Sequence, residues 1–279
     1  MKGLLIGVIL AVDLLGQTLV GLTGPGTGST LNQELLAARD NAVKRSGQNK
    51  VVVFAGDRVI PQFVDGSSWS TSVFLVNLEN YPVDFTVYFF RDNGTDLYVP
   101  IVGLGLIRGV RVTLAATESV QFETAGDAAN LAQGWALLSK GTTDSVGGMA
   151  IFRQRIPGRF DQEAVVPIVN QFESHFVLMF DNTAFTSAIA LANPTLTSVV
   201  IPVYVRAMSG QIIDQRTITL GPYSHTAFTL PDTWASTAGR RGVVEFQASG
   251  FGVGALGLRF SGSAFTSFHV LSNFDWVVP

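Results

Sequence analysis

The sequence predicts an all-β protein: two tandem β-sandwich units preceded by a signal-like segment and one short helix. Three observations carry that expectation: a composition rich in strand formers, short apolar runs punctuated by turn residues roughly every ten positions, and an internal repeat. Of the 279 residues, 47% are hydrophobic and 14% charged, with 29 Gly and 20 Phe. Such a chain can bury a core and is unlike a disordered one. Abundant Val, Thr, Phe and Gly with few Lys and Glu favour strands over helices.

The N-terminus comes first. Lys2 is followed by an apolar run from Gly3 to Val12, which resembles the n- and h-regions of a signal peptide. The run is short for a transmembrane helix. Asp13 interrupts it, and no clean small-x-small cleavage site follows. Residues 1–24 are therefore expected to be a signal peptide. The protein is expected to be extracellular or in the cell envelope, with no integral membrane span after processing. Residues 25–50 read as a linker carrying a helix. Thr30 caps it with Gln33 three positions on, Leu31, Leu35, Ala38 and Ala42 form one stripe, and Gly47 can end it.

Residues 51–168 and 169–279 are expected to be the two β-sandwich units. WSTSVFLVNLENYPVDFTVYFFRDNG (69–94) aligns without a gap on FTSAIALANPTLTSVVIPVYVRAMSG (185–210). Asn77 matches Asn193 and Gly94 matches Gly210, both at an offset of 116. VGGMAIFR (146–153) matches GVGALGLR (252–259) at an offset of 106, so ten residues are lost between the blocks in the second copy. Strands are expected around Ser72–Asn77, Phe85–Phe90, Val110–Leu114, Ser119–Glu123, Gly134–Leu138 and Met149–Arg153. Their counterparts are Ala188–Asn193, Val199–Val205, Ile212–Leu220, His225–Leu230, Val243–Gln247 and Ala255–Phe260. Asp92-Asn93-Gly94 and Ser209-Gly210 are hairpin turns. This number and spacing of strands indicates immunoglobulin-like sandwiches.

FVDGSSW (63–69) has the look of an aspartic-protease loop, and the offset of 116 carries Asp65 onto Asp181. Two carboxylates brought together could share a proton and activate water. The hydroxyl-then-glycine pattern after the aspartate is absent, however, and Asp or Asn before a strand commonly folds into a local turn. A hydrolase using Asp65 and Asp181 is thus the weaker alternative to a turn. Asp92, Asn93, Thr95 and Asp96 offer clustered oxygens, as a calcium loop would, but also read as a polar hairpin tip. His175, His225 and His269 lack metal-ligand spacing. Trp69, Trp135, Trp234 and Trp276 could form a glycan-stacking surface, although Trp69 and Trp135 fit the core of the first sandwich.

The chain has no Cys, which removes disulfides, thiolate catalysis and Cys-ligated zinc. A net charge of −3, with no basic run longer than a pair, offers nothing to draw nucleic acid. No phosphate loop, nucleophile elbow or dinucleotide fingerprint is present, so no cofactor is expected.

IPQFVDGSSWSTSVFLVN (60–77), FFRDNG (89–94) and GALGLRFSGSAFTSFHVL (254–271) resemble a family of secreted bacterial proteins common in Acidobacteria and their relatives. Its repeats run like FPQFADGGGWSTxLVLVNP, FFDxxG and GLRFxxxGAFTSxPV, in the same order. The likeness spans most of 60–273. It implies tandem immunoglobulin-type modules on exported proteins and makes Asp65-Gly66 part of a turn motif. It supplies no catalytic residues. The resulting expectation is a non-enzymatic exported protein acting at the cell surface, in the envelope or outside the cell. The alternative is a pair of carbohydrate-binding modules. Its partners would be an extracellular glycan or an envelope protein. Candidate binding residues are Asp65, Trp69, Asp92, Asn93, Asp96 and Asp181.

Overall fold

The computed structural model describes residues 11–14, 17–22, 57–140, 145–169, 172–250 and 252–272. The helix expected at 30–45, Trp276 and most of the signal-like segment lie outside these residues.

The described chain is almost entirely antiparallel strand. Its first part runs β1 (Ala11–Leu14), β2 (Gln17–Gly21), β3 (Arg58–Asp65), β4 (Trp69–Asn77), β5 (Val83–Arg91), β6 (Val99–Ile101), β7 (Gly105–Ile107), β8 (Gly109–Leu114), β9 (Ser119–Glu123), β10 (Ala132–Lys140), β11 (Val146–Gln154) and β12 (Gln162–Pro167). The second part runs β13 (His175–Asp181), β14 (Thr186–Ala192), β15 (Val199–Ala207), β16 (Ile212–Leu220), β17 (His225–Thr229), a one-turn helix α1 (Leu230–Thr233), β18 (Arg241–Gln247), β19 (Gly254–Ser261), β20 (Ala264–Phe268) and β21 (Leu271–Ser272).

In the first part, the sheet β1-β2-β8-β5-β10-β3 lies over β12-β11-β4-β9. In the second, β16-β15-β18-β13-β21 lies over β17-β14-β19-β20. Strand for strand, β8-β5-β10-β3 repeats as β16-β15-β18-β13, and β12-β11-β4-β9 repeats as β20-β19-β14-β17. This is a sandwich-type all-β fold, as expected. Its strand order departs from the immunoglobulin one. There the first strand joins the sheet of the second and fifth, and the last joins that of the third and sixth. Here β3 pairs with β10 and β11 pairs with β4. The end of the signal-like stretch is also part of the fold, because β2 pairs with β8 along Thr18–Gly21.

The ten-residue difference between the copies is the small β6-β7 hairpin, which has no counterpart between β15 and β16. The matching asparagines close the same corner in each copy. Asn77 Nδ2 donates to the carbonyls of Tyr81 and Ala115, each at 2.8 Å, and its Oδ1 accepts from Glu79 N. Asn193 Nδ2 donates to Thr197 O at 2.8 Å and Gly221 O at 2.7 Å, and its Oδ1 accepts from Thr195 N. Both side chains are buried, so each satisfies three backbone groups that would otherwise lose water unpaired.

Alternation places the cores. Val73 and Leu75 of β4, Val87 and Phe89 of β5, and Ala150 of β11 face one interior. Ile189 and Leu191 of β14, Val203 and Val205 of β15, and Val244 and Phe246 of β18 face the other. The sheet β17-β14-β19-β20 is covered on both faces. Its Ile189 and Leu191 enter the second core, while Ala188, Ala190, Leu256, Leu258 and Phe265 pack into the first. That explains the near-continuous burial of β14 and β19, where a sheet with one wet face would alternate. The second sandwich thereby closes the open side of the first, between β3 and β12.

Candidate functional site

FVDGSSW is a hairpin turn. Gly66 and Trp69 exchange backbone hydrogen bonds at 2.9 Å in both directions, and Ser67 and Ser68 both have positive φ, the geometry of a type I′ turn between β3 and β4. A Cβ at Gly66 would run into the carbonyl oxygen of Asn130, so the position requires glycine. Asp65 is buried, and its Oδ1 accepts from Gly126 N at 2.9 Å.

Asp181 does not occupy the matching place. The backbone N–H of Val64 donates to Thr71 Oγ1, and the backbone N–H of Asp181 donates to Ser187 Oγ in the same way. Asp181 therefore corresponds to Val64, and Asn182 to Asp65. The turn of the first copy holds one extra residue, which a gapless alignment cannot show. Asp181 is held by Thr183 and Arg241: its Oδ1 accepts from Thr183 N and Oγ1, and its Oδ2 from Arg241 Nε at 2.8 Å. The Thr183 hydroxyl and N–H, then the Arg241 guanidinium, lower its carboxyl to about 2. Asp65 and Asp181 thus sit on separate partners in separate sandwiches, with no common hydrogen-bonding group.

The calcium-like cluster is taken apart in the same manner. Asn93 Oδ1 accepts from Thr95 N and Oγ1, a local turn. Asp96 points inward, with the Arg108 guanidinium at 3.6 Å, and burial raises its carboxyl although Arg108 partly opposes that. Asp92 faces the second sandwich, where its Oδ1 meets His225 Nδ1 at 2.8 Å and its Oδ2 accepts from Gln133 Nε2 at 3.0 Å. Burial alone would raise Asp92, but the hydrogen bonds from His225 and Gln133 outweigh it and hold the carboxyl below its usual value. Among the described residues, no group of three or more His, Asp or Glu side chains could hold a metal ion.

Asp92 belongs instead to a joint between the sandwiches. Trp135, Phe90 and Tyr223 stack there, with ring centroids 4.9 Å and 5.3 Å from Phe90, and Trp135 Nε1 donates to Tyr223 O at 2.7 Å. Val59, Leu137 and Ala192 complete the cluster. Trp135 is thus fully buried, but on the outer face of β10 rather than in the core of the first sandwich. Trp234 is buried in the second core. Trp69 is half-buried, with its ring 4.9 Å from that of Phe265. Among the described residues, the tryptophans therefore provide no exposed row for stacking sugars.

Two features escaped the sequence reading. One is Glu245, fully buried on the outer face of β18. His175 Nε2 lies 2.9 Å from its Oε1, and Arg206 donates twice to its Oε2, at 2.8 and 2.6 Å. Burial by itself would raise Glu245, but hydrogen bonds from Gln247, Arg206 and His175 prevail and lower its carboxyl. The other is a cleft of about 800 Å³ at the open side of the second sandwich, lined by Met179, Asp181, Met208, Arg241, Arg259 and Phe268 among others. Met179 and Met208 are 58% and 77% exposed. The Arg259 guanidinium lies 3.6 Å over the Phe185 ring, and no salt bridge joins it to a described carboxylate. Such a cleft, largely apolar with a few polar groups, is the usual form of a binding site.

No family model, curated protein or solved structure matches the chain. Among the described residues, no helix is long and apolar enough to cross a membrane.

Proposed function

We propose that the chain is a non-enzymatic exported protein whose two β-sandwich modules serve interaction at the cell surface, in the envelope or in the extracellular space. One observation carries this reading: the open side of the second sandwich is a cleft with exposed methionines and, in Arg259, a cation with no carboxylate partner among the described residues, whereas Asp65 is bound into a turn and Asp92 and Asp181 are ion-paired. Methionine-lined surfaces adapt to partners because the side chain is unbranched and polarizable. The test is retention of the full chain on isolated bacterial envelopes and on insoluble polysaccharides. Retention on envelopes that falls at least tenfold in Arg259→Glu and Met179→Asp supports the reading. Retention that both substitutions leave intact, or competition by a soluble glycan at an unrelated surface, refutes it.

A further inference from the structure

The joint between the two sandwiches is asymmetric. A receiving side on the first, formed by the open flank between β3 and β12, takes a donating side on the second, the outer face of β14 and β19-β20. Because the two copies share one strand order, each side occurs twice. The second sandwich carries its own receiving side, which is the cleft between β13 and β20. The first carries its own donating side, the outer face of β4 and β11-β12. Both are uncovered among the described residues.

Pairing registers set the correspondence. Thr71 pairs with Phe152 as Ser187 pairs with Arg259, so Phe152 answers to Arg259. Arg153 pairs with Glu163 as Phe260 pairs with Phe265, so Glu163 answers to Phe265. On the donating side of the first sandwich, Met149 and Val165 are 42% and 47% exposed, with Phe74 and Ile151 half-buried beside them. Leu256, Leu258 and Ala190, the counterparts of Met149, Ile151 and Phe74, are apolar and covered, while Val165 answers to the half-buried Ser267.

We propose that a second copy of this chain docks its first sandwich into the cleft of the second sandwich, repeating the internal joint between molecules. The inference rests on reading that cleft as a binding surface. Charge complementarity selects the partner. In the internal joint the ring of Trp69 meets Phe265. At the equivalent intermolecular position, Phe185 stands for Trp69 and Glu163 for Phe265. Arg259, already stacked over Phe185, then receives the Glu163 carboxylate, which is 46% exposed in its ion pair with Arg153. The other charges of the receiving side are mutually satisfied, Arg206 with Glu245 and Arg241 with Asp181, so covering them strands no ion. A head-to-tail contact of this kind does not pair a patch with itself, so it gives open chains or closed rings rather than one symmetric dimer.

The test is sedimentation velocity on the full chain from micromolar to submillimolar concentration, with peroxide footprinting alongside. Met149 lies on the donating side and Met179 and Met208 on the receiving side, so all three should lose reactivity together as the concentration rises. Met149→Asp with Val165→Asp blocks one side, and Arg259→Glu with Met179→Asp blocks the other. Each blocked protein alone should stay monomeric, and their mixture should stop at a one-to-one dimer. Glu163→Arg should weaken assembly at least tenfold, and adding Arg259→Glu to it should restore assembly. A wild-type chain that stays monomeric throughout, or blocked variants that associate as readily as wild type, overturns the proposal. The variants replace exposed side chains, and circular dichroism confirms that each remains folded. A monomer whose envelope retention is still lost on Arg259→Glu refutes self-docking alone. An assembling chain with no envelope retention refutes the envelope reading alone.

Discussion

The outer faces of β10 and β18 hold equivalent positions and have opposite fates. On β10 the residues are Trp135 and Leu137, and on β5 beside it Phe90, all buried against Tyr223 and Ala192 of the second sandwich. On β18 the counterparts are Val243 and Glu245, and on β15 the counterpart is Arg206. One backbone frame thus carries an apolar joint where the second sandwich covers it, and a self-satisfied ion cluster where no sandwich among the described residues does. The difference shows what each face requires. An apolar face is stable where a neighbour excludes water from it, and charges buried on the other face survive only when paired and hydrogen-bonded.

The largest expected break in this comparison is Trp135→Ala. It removes the stacked ring and the hydrogen bond to Tyr223 O, and should cost about 3–5 kcal/mol in denaturant unfolding. Val243→Ala at the equivalent position should cost about 1 kcal/mol or less. Next comes Glu245→Ala. It strands Arg206 and His175, and because both keep some contact with solvent the loss should be about 3 kcal/mol, at the low end for a buried pair. Replacing Glu245 by Leu together with Arg206 by Phe installs the residues of the first sandwich, and should be neutral within about 1 kcal/mol. The corner asparagines should behave alike in both copies. Asn77→Ala and Asn193→Ala should each lose about 2–3 kcal/mol, since each abandons several buried backbone groups.

The smallest effect is on acid stability. Asp181, lowered to about 2 from an ordinary 3.8, and Asp92, lowered by His225 and Gln133 against burial, both favour the charged form when folded. Their stabilisation is complete above the unfolded value and fades as pH falls through the folded one. Asp181→Asn and Asp92→Asn should therefore each flatten the midpoint-versus-pH curve below about pH 4 and leave its neutral limb nearly parallel to wild type.

Much of the fold was legible. The offset of 116 aligned β4 with β14 and β5 with β15, and alternation plus turn residues located β9 and β16 at the bounds the structure gives them. Two matches slipped by one residue. The sequence match sets Arg153 against Arg259, yet the registers set Phe152 against Arg259, because the glycine-rich strings resemble each other in two phases and pairing decides between them. A slip of one in a strand moves each side chain to the other face. The offset of 116 sets Asp65 against Asp181, because the extra turn residue leaves no trace in the flanking strings. The joint has a signal in the sequence. GWALL in β10 is apolar without alternation, which marks burial on both faces, but such a run does not say what covers the second face. The cleft and the Glu245 cluster had none, since they arise from residues brought together only by the second copy's own strand pairing.

The claim that the second sandwich completes the first is tested most directly by calorimetry of the full chain. The first core contains Leu256, Leu258 and Phe265 of the second sandwich, so the two cores should melt in one transition, with calorimetric and van't Hoff enthalpies equal. Trp135→Ala should split or broaden that transition. Two independent transitions in the wild type, both unmoved by Trp135→Ala, would contradict the account.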